Sequence, residues 1–252
     1  MANPPRLPRV AVQTKAKYGR VVLKLSGEAL LGDREFGISP EYTKYLAEEI
    51  RKVRDLGVQV AVVIGGGNII RGATVAEHGI EEATGHYMGM LAMVINALAL
   101  QSQLESIGVP VRVQSAITIA EVAEPYIRRR AIHQLEKGSV VIFAAGTGNP
   151  FFTSDTAAAL RAAEINADAI LMGKNKVDGV YDADPRVVHG AKKYDDLTYR
   201  DLLEKQLGVM DATAAALAEE RGIPIVVFDI SQPDAMVRAA KGEHIGTLVH
   251  AK

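Results

Sequence analysis

The sequence predicts an α/β protein, in which a mostly parallel central sheet is flanked by helices on both faces as an αβα sandwich. Short β-rich runs alternate with longer helical segments along most of the 252 residues. The run VQVAVVI at 58–64 is almost entirely apolar, as expected for a strand with both faces covered. Glycine-bearing segments follow three predicted strands, at the sheet edge where parallel sheets bind ligands.

Each element is assigned from its apolar periodicity and its end signals. The first helix shows these signals well, because Ser39 can cap it, Pro40 suits its first position and Gly57 ends it. The predicted strands are 20–26, 58–64, 110–115, 139–144, 168–172, 223–228 and 247–249. The predicted helices are 40–56, 86–107, 154–166 and 212–221. The alternation of strands and helices implies right-handed crossovers between parallel strands. The sequence shows no internal repeat, low-complexity tract or linker, so a single domain is predicted at 18–252, after a loosely ordered leader at 1–17.

Composition and charge restrict the function. Without Cys, disulfides, thiolate metal sites and thiol catalysis are excluded, and a reducing compartment such as the cytoplasm is expected. The formal net charge is −1, so no global field favours binding to nucleic acid or to an anionic membrane. No apolar run is expected to approach the roughly 18 residues that span a membrane. Local groups would therefore have to hold any phosphate ligand.

Two segments at strand ends carry groups that suit a phosphate. In Gly65-Gly66-Gly67, adjacent glycines let backbone N–H groups face an anion, and a helix starting just beyond would add its positive end. A tight turn without a ligand explains the glycines alone equally well, but Arg71 could reach the same phosphate. Lys24 comes just before Ser26-Gly27 at the end of the first strand, although lone strand lysines are more often solvated or paired.

Two further segments could hold nucleosides. The run GTGNPFFTSD at 146–155 combines mobile glycines, hydroxyls, an amide and two aromatics before an Ala-rich helix. Ser154 or Asp155 could simply cap that helix, but a cap does not require the preceding Asn-Pro and Phe-Phe. The run VDGVYDADP at 177–185 has strong turn signals and fits a plain loop. Alternatively, Tyr181 stacks on adenine, with Asp184 near the ribose or the base.

Signatures of other nucleotide-binding proteins are absent from the sequence. No G-x-x-x-x-G-K-[ST] motif occurs, which excludes a Walker-type NTPase. Ile70 stands where the dinucleotide fingerprint needs its last glycine, so a dehydrogenase is disfavoured. The six His residues form no H-x-x-x-H pair, so a His-based metal site is not expected.

Six motifs, in order, closely resemble the amino acid kinase superfamily and, within it, the bacterial UMP kinase family. They are KLSGEAL at 24–30, VVIGGGNIIRG at 62–72, YMGMLAMVINALALQ at 87–101, GTGNPFFTSDTAAALRA at 146–162, KVDGVYDADP at 176–185 and VMDATAAALA at 209–218. The resemblance extends from about Tyr18 to Val249. One such motif would be weak, but six with family-like spacing are very specific.

The resemblance implies transfer of the γ-phosphoryl group of ATP to UMP, which gives UDP and ADP in the synthesis of UTP and CTP. It implies ATP contacts from Lys24, Leu25, Ser26, Gly27, Gly67, Arg71, Asn175, Tyr181 and Asp184. It implies UMP contacts from Gly66, His86, Thr147, Gly148, Asn149, Pro150, Phe151, Phe152, Thr153 and Ser154. The expected catalytic residues are Lys24, Arg71, Asp155 and Asp211. The two aspartates would orient lysines or water bound to a metal.

The resemblance also implies regulation and assembly. A segment that matches a region tied to GTP activation in many relatives comprises Gly32, Asp33, Arg34, Glu35, Phe36 and Gly37. The resemblance implies a homohexamer whose activity is inhibited by UTP. Such enzymes use Mg²⁺ with ATP, and no fixed protein ligands for the metal are expected here. Neither nucleic acid nor a membrane is expected as a partner.

Two positions distinguish this sequence from relatives. Relatives usually carry Asp before the MGM segment, where it contacts the UMP ribose, but this chain has His86. An imidazole can hydrogen-bond a ribose hydroxyl but supplies no fixed negative charge. Relatives that phosphorylate carboxylates tend to carry Lys near the position of Asp211, so this position favours UMP over an amino-acid substrate.

Two alternative functions stay open. One is another phosphotransferase of the superfamily, acting on a carbamate, a carbamoyl-like group or an amino-acid carboxylate, although GTGNPFF and Asp211 argue against it. The other is a non-catalytic nucleotide sensor, which would lack Lys24 or Asp155 or carry an added basic module; the sequence shows neither feature. With UMP as acceptor no general base is needed, because a phosphate with a second pKa of about 6 is largely a dianion at neutral pH.

Overall fold

Residues 16 to 70 and 79 to 251 are described by the structure, which is a computed structural model. The strands in these ranges are β1 (Arg20–Leu25), β2 (Gln59–Ile64), β3 (Val111–Ser115), β4 (Glu124–Pro125), β5 (Val140–Ala144), β6 (Ala169–Lys174), β7 (Val180–Tyr181), β8 (Lys193–Tyr194), β9 (Asp196–Thr198), β10 (Ile225–Asp229) and β11 (Thr247–His250). Nine of them form one sheet in the order β4-β3-β5-β2-β1-β6-β10-β11-β9, and β7 pairs with β8. Neighbours in the large sheet are parallel except β10 and β11, which confirms the predicted sheet.

The α-helices in the described ranges are α1 (Pro40–Asp55), α2 (Glu82–Ser106), α3 (Arg128–Glu136), α4 (Ser154–Glu164), α5 (Tyr199–Glu204), α6 (Ala212–Arg221) and α7 (Ala235–Ala240). All four predicted helices are confirmed, with some ends shifted. α2 begins at Glu82 rather than at His86, because no side chain caps its first turn and marks its start. α3, α5 and α7 are not among the predicted helices, and α5 and α7, with 6 residues each, carry too little periodicity.

The helices cover both faces of the sheet, as the sequence predicts. α1, α2 and α7 pack on one face, where β1 contributes Val21, Leu23 and Leu25 to the core. α3, α4, α5 and α6 pack on the other face, where β1 contributes Val22. Because side chains of a strand alternate between faces, Lys24 lies on the same side as Val22, next to α4.

α2 corrects one expectation from the sequence. By length and composition alone, this helix of 25 residues is apolar enough to cross a membrane, so the chain does contain a run of that kind. In the fold, however, α2 packs against α1, β3 and β5 as a core helix. Leu100 and Leu104 are fully buried, and the buried Asn96 is hydrogen-bonded. Burial in the core therefore accounts for part of its apolar character, while Tyr87, Leu91 and Ile95 remain exposed.

The carboxyl ends of β5, β2, β1 and β6 meet at one edge of the sheet, because these strands run parallel to one another. The segments 26–27, 65–68 and 146–149 follow β1, β2 and β5 at this edge. The sequence predicts a helix that begins just after Asn68. Residues 67 to 69 form a turn, and Ile70 is not yet helical. Ile70 N–H donates to the Gly66 carbonyl at 3.0 Å. Residues 71 to 78, which include Arg71, lie outside the described ranges.

Candidate active site

An ion pair between Lys24 and Asp155 lies at the centre of the site. Lys24 is 6% exposed, and its Nζ contacts Asp155 Oδ1 directly. Burial of an ammonium is costly unless a partner compensates its charge, and Asp155 supplies that charge from the first turn of α4. Lys24 is therefore a paired lysine rather than a solvated one, and the pair joins the end of β1 to the first turn of α4.

Thr153 caps α4, whereas the sequence suggests Ser154 or Asp155 for this role. The Thr153 hydroxyl accepts hydrogen bonds from the backbone N–H groups of Asp155 at 3.0 Å and Thr156 at 3.3 Å. The interpretation of Asp155 as a cap is thus wrong, because the preceding hydroxyl already serves the N–H groups of the first turn. The Asp155 carboxylate is left to orient Lys24.

Asp211 joins the first turns of two helices. Its carboxylate contacts the Thr153 hydroxyl and accepts a hydrogen bond from the Thr156 hydroxyl, whose oxygen is 3.0 Å from each carboxylate oxygen. It also caps α6 by accepting from Ala214 N–H at 2.9 Å. Its partners in the described ranges are hydroxyls and an amide, so Asp211 links the first turns of α4 and α6, a role that the sequence does not predict, whereas Asp155 contacts the lysine.

Close backbone packing requires glycine at two positions of the site. A Cβ on Gly27 would lie 2.7 Å from Gly67 N, so a side chain there would force the β1 and β2 loops apart. A Cβ on Gly66 would lie 2.7 Å from the Gly89 carbonyl oxygen and 2.9 Å from Ala92 Cβ, both on α2. The glycine turn is therefore held between the β1 loop and α2, where its backbone stays close to Lys24.

A buried pair of asparagines holds the glycine turn from behind. Asn68 Nδ2 donates to Asn96 Oδ1 at 3.0 Å, and Asn96 Nδ2 donates back to Asn68 Oδ1 at 2.7 Å. Asn96 also donates to the Gly65 carbonyl at 2.7 Å. Because both residues are at most 3% exposed, breaking this pair would leave buried polar groups without partners. The sequence alone does not reveal this pair.

A groove of about 630 Å³ opens on the Lys24 side of the ion pair. The predicted ATP contacts that line it are Lys24, Ser26, Asn175, Tyr181 and Asp184. Two segments that are far apart in sequence thus meet on one groove. Gly27 and Gly67 belong to the adjoining loops, whereas the Leu25 side chain is fully buried in the core, so only its backbone can contribute. We call this space the donor groove.

The outer wall of the donor groove carries charged and aromatic side chains with defined partners. The Tyr181 hydroxyl donates to Asp178 Oδ1 at 2.5 Å, and this bond raises the pKa of the phenol. Asp184 accepts from Arg186 Nε at 3.1 Å and from Arg186 Nη2 at 3.0 Å, and this bidentate contact lowers the pKa of the carboxyl. Tyr181 therefore stays neutral and Asp184 stays ionised around neutral pH.

A second cavity of about 130 Å³ lies near the first turn of α4, and we call it the acceptor cavity. The predicted UMP contacts that line it are Gly66, His86, Thr147, Asn149, Phe152, Thr153 and Ser154. Gly148, Pro150 and Phe151 belong to the same loop but do not line the cavity. Phe151 is 65% exposed, and its ring lies 5.2 Å from the ring of His86. An incoming planar base would find exposed aromatic surface at this loop.

Two residues of the β5–α4 loop adopt backbone conformations that residues other than glycine rarely adopt. Ala145 has φ +60° and Phe151 has φ +66°, and such left-handed residues cost on the order of 1–3 kcal/mol each. Arg161 supports this loop from α4, since its Nη2 donates to the Gly146 carbonyl at 3.3 Å. The guanidinium also stacks 3.8 Å from the Tyr126 ring centroid. The buried Arg161 side chain therefore holds the start of the β5–α4 loop in place.

The predicted regulatory segment, Gly32 to Gly37, lies between a 3₁₀ helix (Gly27–Leu30) and α1. Its four central side chains are exposed, and Phe36 is 67% exposed. Gly37 exchanges two hydrogen bonds with Asn68: Gly37 N–H donates to the Asn68 carbonyl at 3.0 Å, and Asn68 Nδ2 donates to the Gly37 carbonyl at 2.8 Å. The segment is thus tied directly to the glycine turn.

Lys174 is a residue of the site that the sequence interpretation misses. It is half-buried at the end of β6 and lines the donor groove. Burial, followed by the charge of Lys24, lowers the pKa of Lys174 to about 8. The sequence signal was a lysine just past a β-rich run, but the predicted strand stops at Met172 because Gly173 resembles an end signal.

Comparison with known proteins identifies the family. The model of the amino acid kinase family matches residues 19–229. A uridylate kinase of Limosilactobacillus reuteri strain DSM 20016 is 58% identical over 233 residues, which cover 92% of this chain and 97% of that protein. Relatives at this level share the whole fold and not only isolated motifs.

Solved structures give the same result. The UMP kinase of Bacillus anthracis superposes with a TM-score of 0.89 at 43% identity, covering 92% of this chain and 96% of that one. The UMP kinase of Ureaplasma parvum superposes with a TM-score of 0.87 at 40% identity, covering 93% and 99%. The chain therefore belongs to the amino acid kinase family, on its bacterial UMP kinase branch.

Proposed function

We propose that this chain transfers the γ-phosphoryl group of ATP to UMP and so produces UDP and ADP for the synthesis of UTP and CTP. The observation that carries the proposal is the Lys24–Asp155 ion pair, which lies close to both the donor groove and the acceptor cavity. Lys24 lines the donor groove, while Ser154, the neighbour of Asp155, lines the acceptor cavity. The similarity to uridylate kinases identifies the acceptor as UMP.

ATP is assigned to the donor groove. Lys24, Ser26, Gly27 and Gly67 would face the phosphates, because they lie where the β1 and β2 loops touch. Asn175, Tyr181 and Asp184 would hold the adenosine farther along the groove. The roles of Arg71 as a phosphate ligand and of Leu25 as a backbone contact rest on the family resemblance.

UMP is assigned to the acceptor cavity. Its phosphate would lie against Gly66 and the first turn of α4, where backbone N–H groups and the Thr153 and Ser154 hydroxyls are close. The loop from Thr147 to Phe152 would surround the base. His86 would hydrogen-bond the ribose in place of the aspartate of relatives.

Catalysis would depend on alignment and charge neutralisation. The bond from the γ-phosphorus to the β–γ bridging oxygen breaks, and its electron pair stays on ADP; a phosphate oxygen of UMP forms the new bond. The Lys24 ammonium, oriented by Asp155, would stabilise the shifting negative charge. Asp211 would keep Thr153 and the first turn of α4 in position. No proton has to be removed from the acceptor, because UMP attacks as a dianion.

Mg²⁺ is proposed to enter with ATP. Over the described ranges, no three His, Asp or Glu side chains cluster closely enough to hold a metal ion. This arrangement fits Mg²⁺, which usually binds substrate phosphates and water with only one or two carboxylates. Asp155, whose carboxylate contacts the Lys24 ammonium, would orient metal-bound water. When bound, Mg²⁺ supplies positive charge to the phosphate oxygens.

Regulation and assembly are proposed to follow the family. A stripe of exposed apolar side chains on α2 supports self-association into a homohexamer, because Tyr87, Leu91 and Ile95 are 46%, 47% and 50% exposed and lie on one helix face. Activation by GTP at Gly32–Gly37 is supported by the two hydrogen bonds between Gly37 and Asn68, one donated by each residue. Inhibition by UTP, the single-domain organisation at 18–252 and the cytoplasmic location remain predictions from the sequence.

A substrate panel tests the function. ADP release is measured with ATP, Mg²⁺ and, in turn, UMP, CMP, an N-acylated glutamate and aspartate, each with and without GTP and UTP. We expect rapid ADP release with UMP alone among these acceptors. Turnover with a carboxylate acceptor would indicate another phosphotransferase of the family, and tight nucleotide binding without ADP release would indicate a sensor.

A further inference from the structure

A second lysine lies beside the proposed reaction centre. Lys174 is the last residue of β6, and β6 pairs in parallel with β1. In that register Met172 lies opposite Lys24. Side chains two residues apart in a strand share a face, so Lys174 lies on the same face as Met172 and Lys24. The two lysines therefore project from neighbouring strands toward the same edge of the sheet.

The hydrogen bonds of Lys174 leave it able to bind a ligand. Its Nζ donates to the Val209 carbonyl at 2.7 Å, and it lines the donor groove together with Lys24 and Asn175. An ammonium has three donors. The bond to Val209 uses one and holds the side chain in place, which leaves two for an anion in the groove.

The charges around Lys174 favour such an anion. The two nearby charged groups that act on it are Lys24, which repels it, and Asp155, whose carboxylate already contacts Lys24. Within the described ranges, no carboxylate lies within ion-pair distance of Lys174. A half-buried ammonium next to another ammonium is unfavourable for the fold by itself, and a polyphosphate would supply the missing negative charge.

We propose that the Lys174 ammonium binds the phosphate chain of ATP beside Lys24 and neutralises the charge that develops on the departing ADP. This role rests on the proposed kinase function. As the bond between the γ-phosphorus and the bridging oxygen breaks, the electron pair moves onto the β-phosphate. Lys24 would contact the transferring group, whereas Lys174 would contact the leaving group.

The competing explanation is that Lys174 only anchors Val209, two residues before Asp211. Two variants separate these roles. Lys174→Met removes both the charge and the hydrogen bond, while Lys174→Gln removes the charge and keeps a donor. Lys176→Met is the matched control, because Lys176 is an exposed lysine two residues away that does not line the groove.

The experiment measures three quantities on each full-length variant: ADP affinity by calorimetry, kcat with UMP, and Tm. For both Lys174 variants we expect ADP affinity and kcat each to fall about 10-fold or more, the scale of one lost donor to a transition state. Tm of Lys174→Met should stay the same or rise at pH 7, because a lysine whose pKa drops on folding destabilises the fold while charged. Lys176→Met should match the wild type in all three.

Several results would overturn the role. Wild-type ADP affinity and kcat in Lys174→Gln would reduce Lys174 to an anchor, as would a lower Tm with unchanged ADP affinity in Lys174→Met. If the wild type failed to phosphorylate UMP, the proposed function would fall, and ADP affinity would still judge Lys174 independently.

The pH profile adds a readout that an anchor would not move. The value of kcat/KM for ATP reports the free enzyme, in which the pKa of Lys174 is about 8. It should fall as pH rises through about 8, because Lys174 then loses its proton. Lys174→Met should lack this step, and a step of unchanged size in that variant would count against the proposal.

Discussion

The donor groove and the acceptor cavity adjoin the same ion pair but present different chemistry. The groove has fixed charges along its length, from Lys24 and Lys174 at the inner end to the Asp184–Arg186 pair at the outer end. Among the described residues that line the acceptor cavity, His86 is the only one with a titratable side chain; the others offer backbone, hydroxyl, amide and apolar groups. The difference indicates that charge is neutralised from the donor side, while the acceptor side selects by shape and hydrogen bonding.

The largest effect should come from the lysine of the ion pair that adjoins both regions. Lys24→Ala should lower kcat by a factor of about 100 or more, because it removes the cation proposed to contact the transferring group. It also leaves Asp155 without its cation, so initial rates with ATP and UMP should be combined with thermal unfolding. Lys44→Ala, which removes an exposed lysine from α1, is the control and should keep wild-type kcat. Near-normal turnover of folded Lys24→Ala would refute the assigned role and remove the basis of the comparison.

An intermediate effect should separate the two regions. Gly66→Ala would place a Cβ 2.7 Å from the Gly89 carbonyl oxygen, so the turn must shift away from α2 and into the acceptor cavity. We expect KM for UMP to rise about 10-fold, together with a loss of stability of about 1–3 kcal/mol from overpacking. KM for ATP should change much less. Equal rises in both KM values would show that the turn serves both nucleotides and that the two regions are not separable.

The smallest effect should sharpen the chemistry of the acceptor side. His86→Asp would introduce an ionised acceptor at the proposed ribose contact, and a hydrogen bond to a charged group is worth about 1.5–3 kcal/mol against about 1 for a neutral one. KM for UMP should therefore fall several-fold, with kcat and KM for ATP little changed. Steady-state kinetics with UMP varied would check this. A higher KM for UMP would mean that the imidazole contributes through its contact with Phe151 instead.

The sequence predicts the central strands and their converging loops because these depend on local patterns. β1 and β2 are short apolar runs followed by glycines, and parallel strands bring such ends together whatever the distance in sequence. Lys174 escapes this reasoning because Gly173 looks like the end of a strand. In the structure Gly173 lies inside β6. Glycine is needed at this position because a Cβ there would lie 2.1 Å from Ile230 Cγ2. Here glycine serves packing and not a turn.

Other parts of the site depend on contacts that no local pattern reveals. Asn68 and Asn96 are 28 residues apart, and each by itself is an ordinary polar residue. Thr153 and Asp211 are 58 residues apart, and only the packing of α4 against α6 joins them. The sequence predicts the N-terminal cap of α4 at Ser154 or Asp155, next to the true cap, Thr153. Which of these residues caps the helix depends on where the backbone enters the helical conformation.

If the chain assembles through the exposed stripe on α2, as proposed, the reciprocal amide pair would connect that subunit contact to the glycine turn. Asn96 sits on α2 directly after Ile95 of the exposed stripe, and its amide bonds to the Gly65 carbonyl. A rotation of α2 imposed by a neighbouring subunit would move the peptide groups of the glycine turn with no intervening residue to absorb the motion. α2 would then couple the subunit contact to the glycine turn at the nucleotide phosphates. Nucleotide binding in one subunit could in this way affect binding in its neighbour.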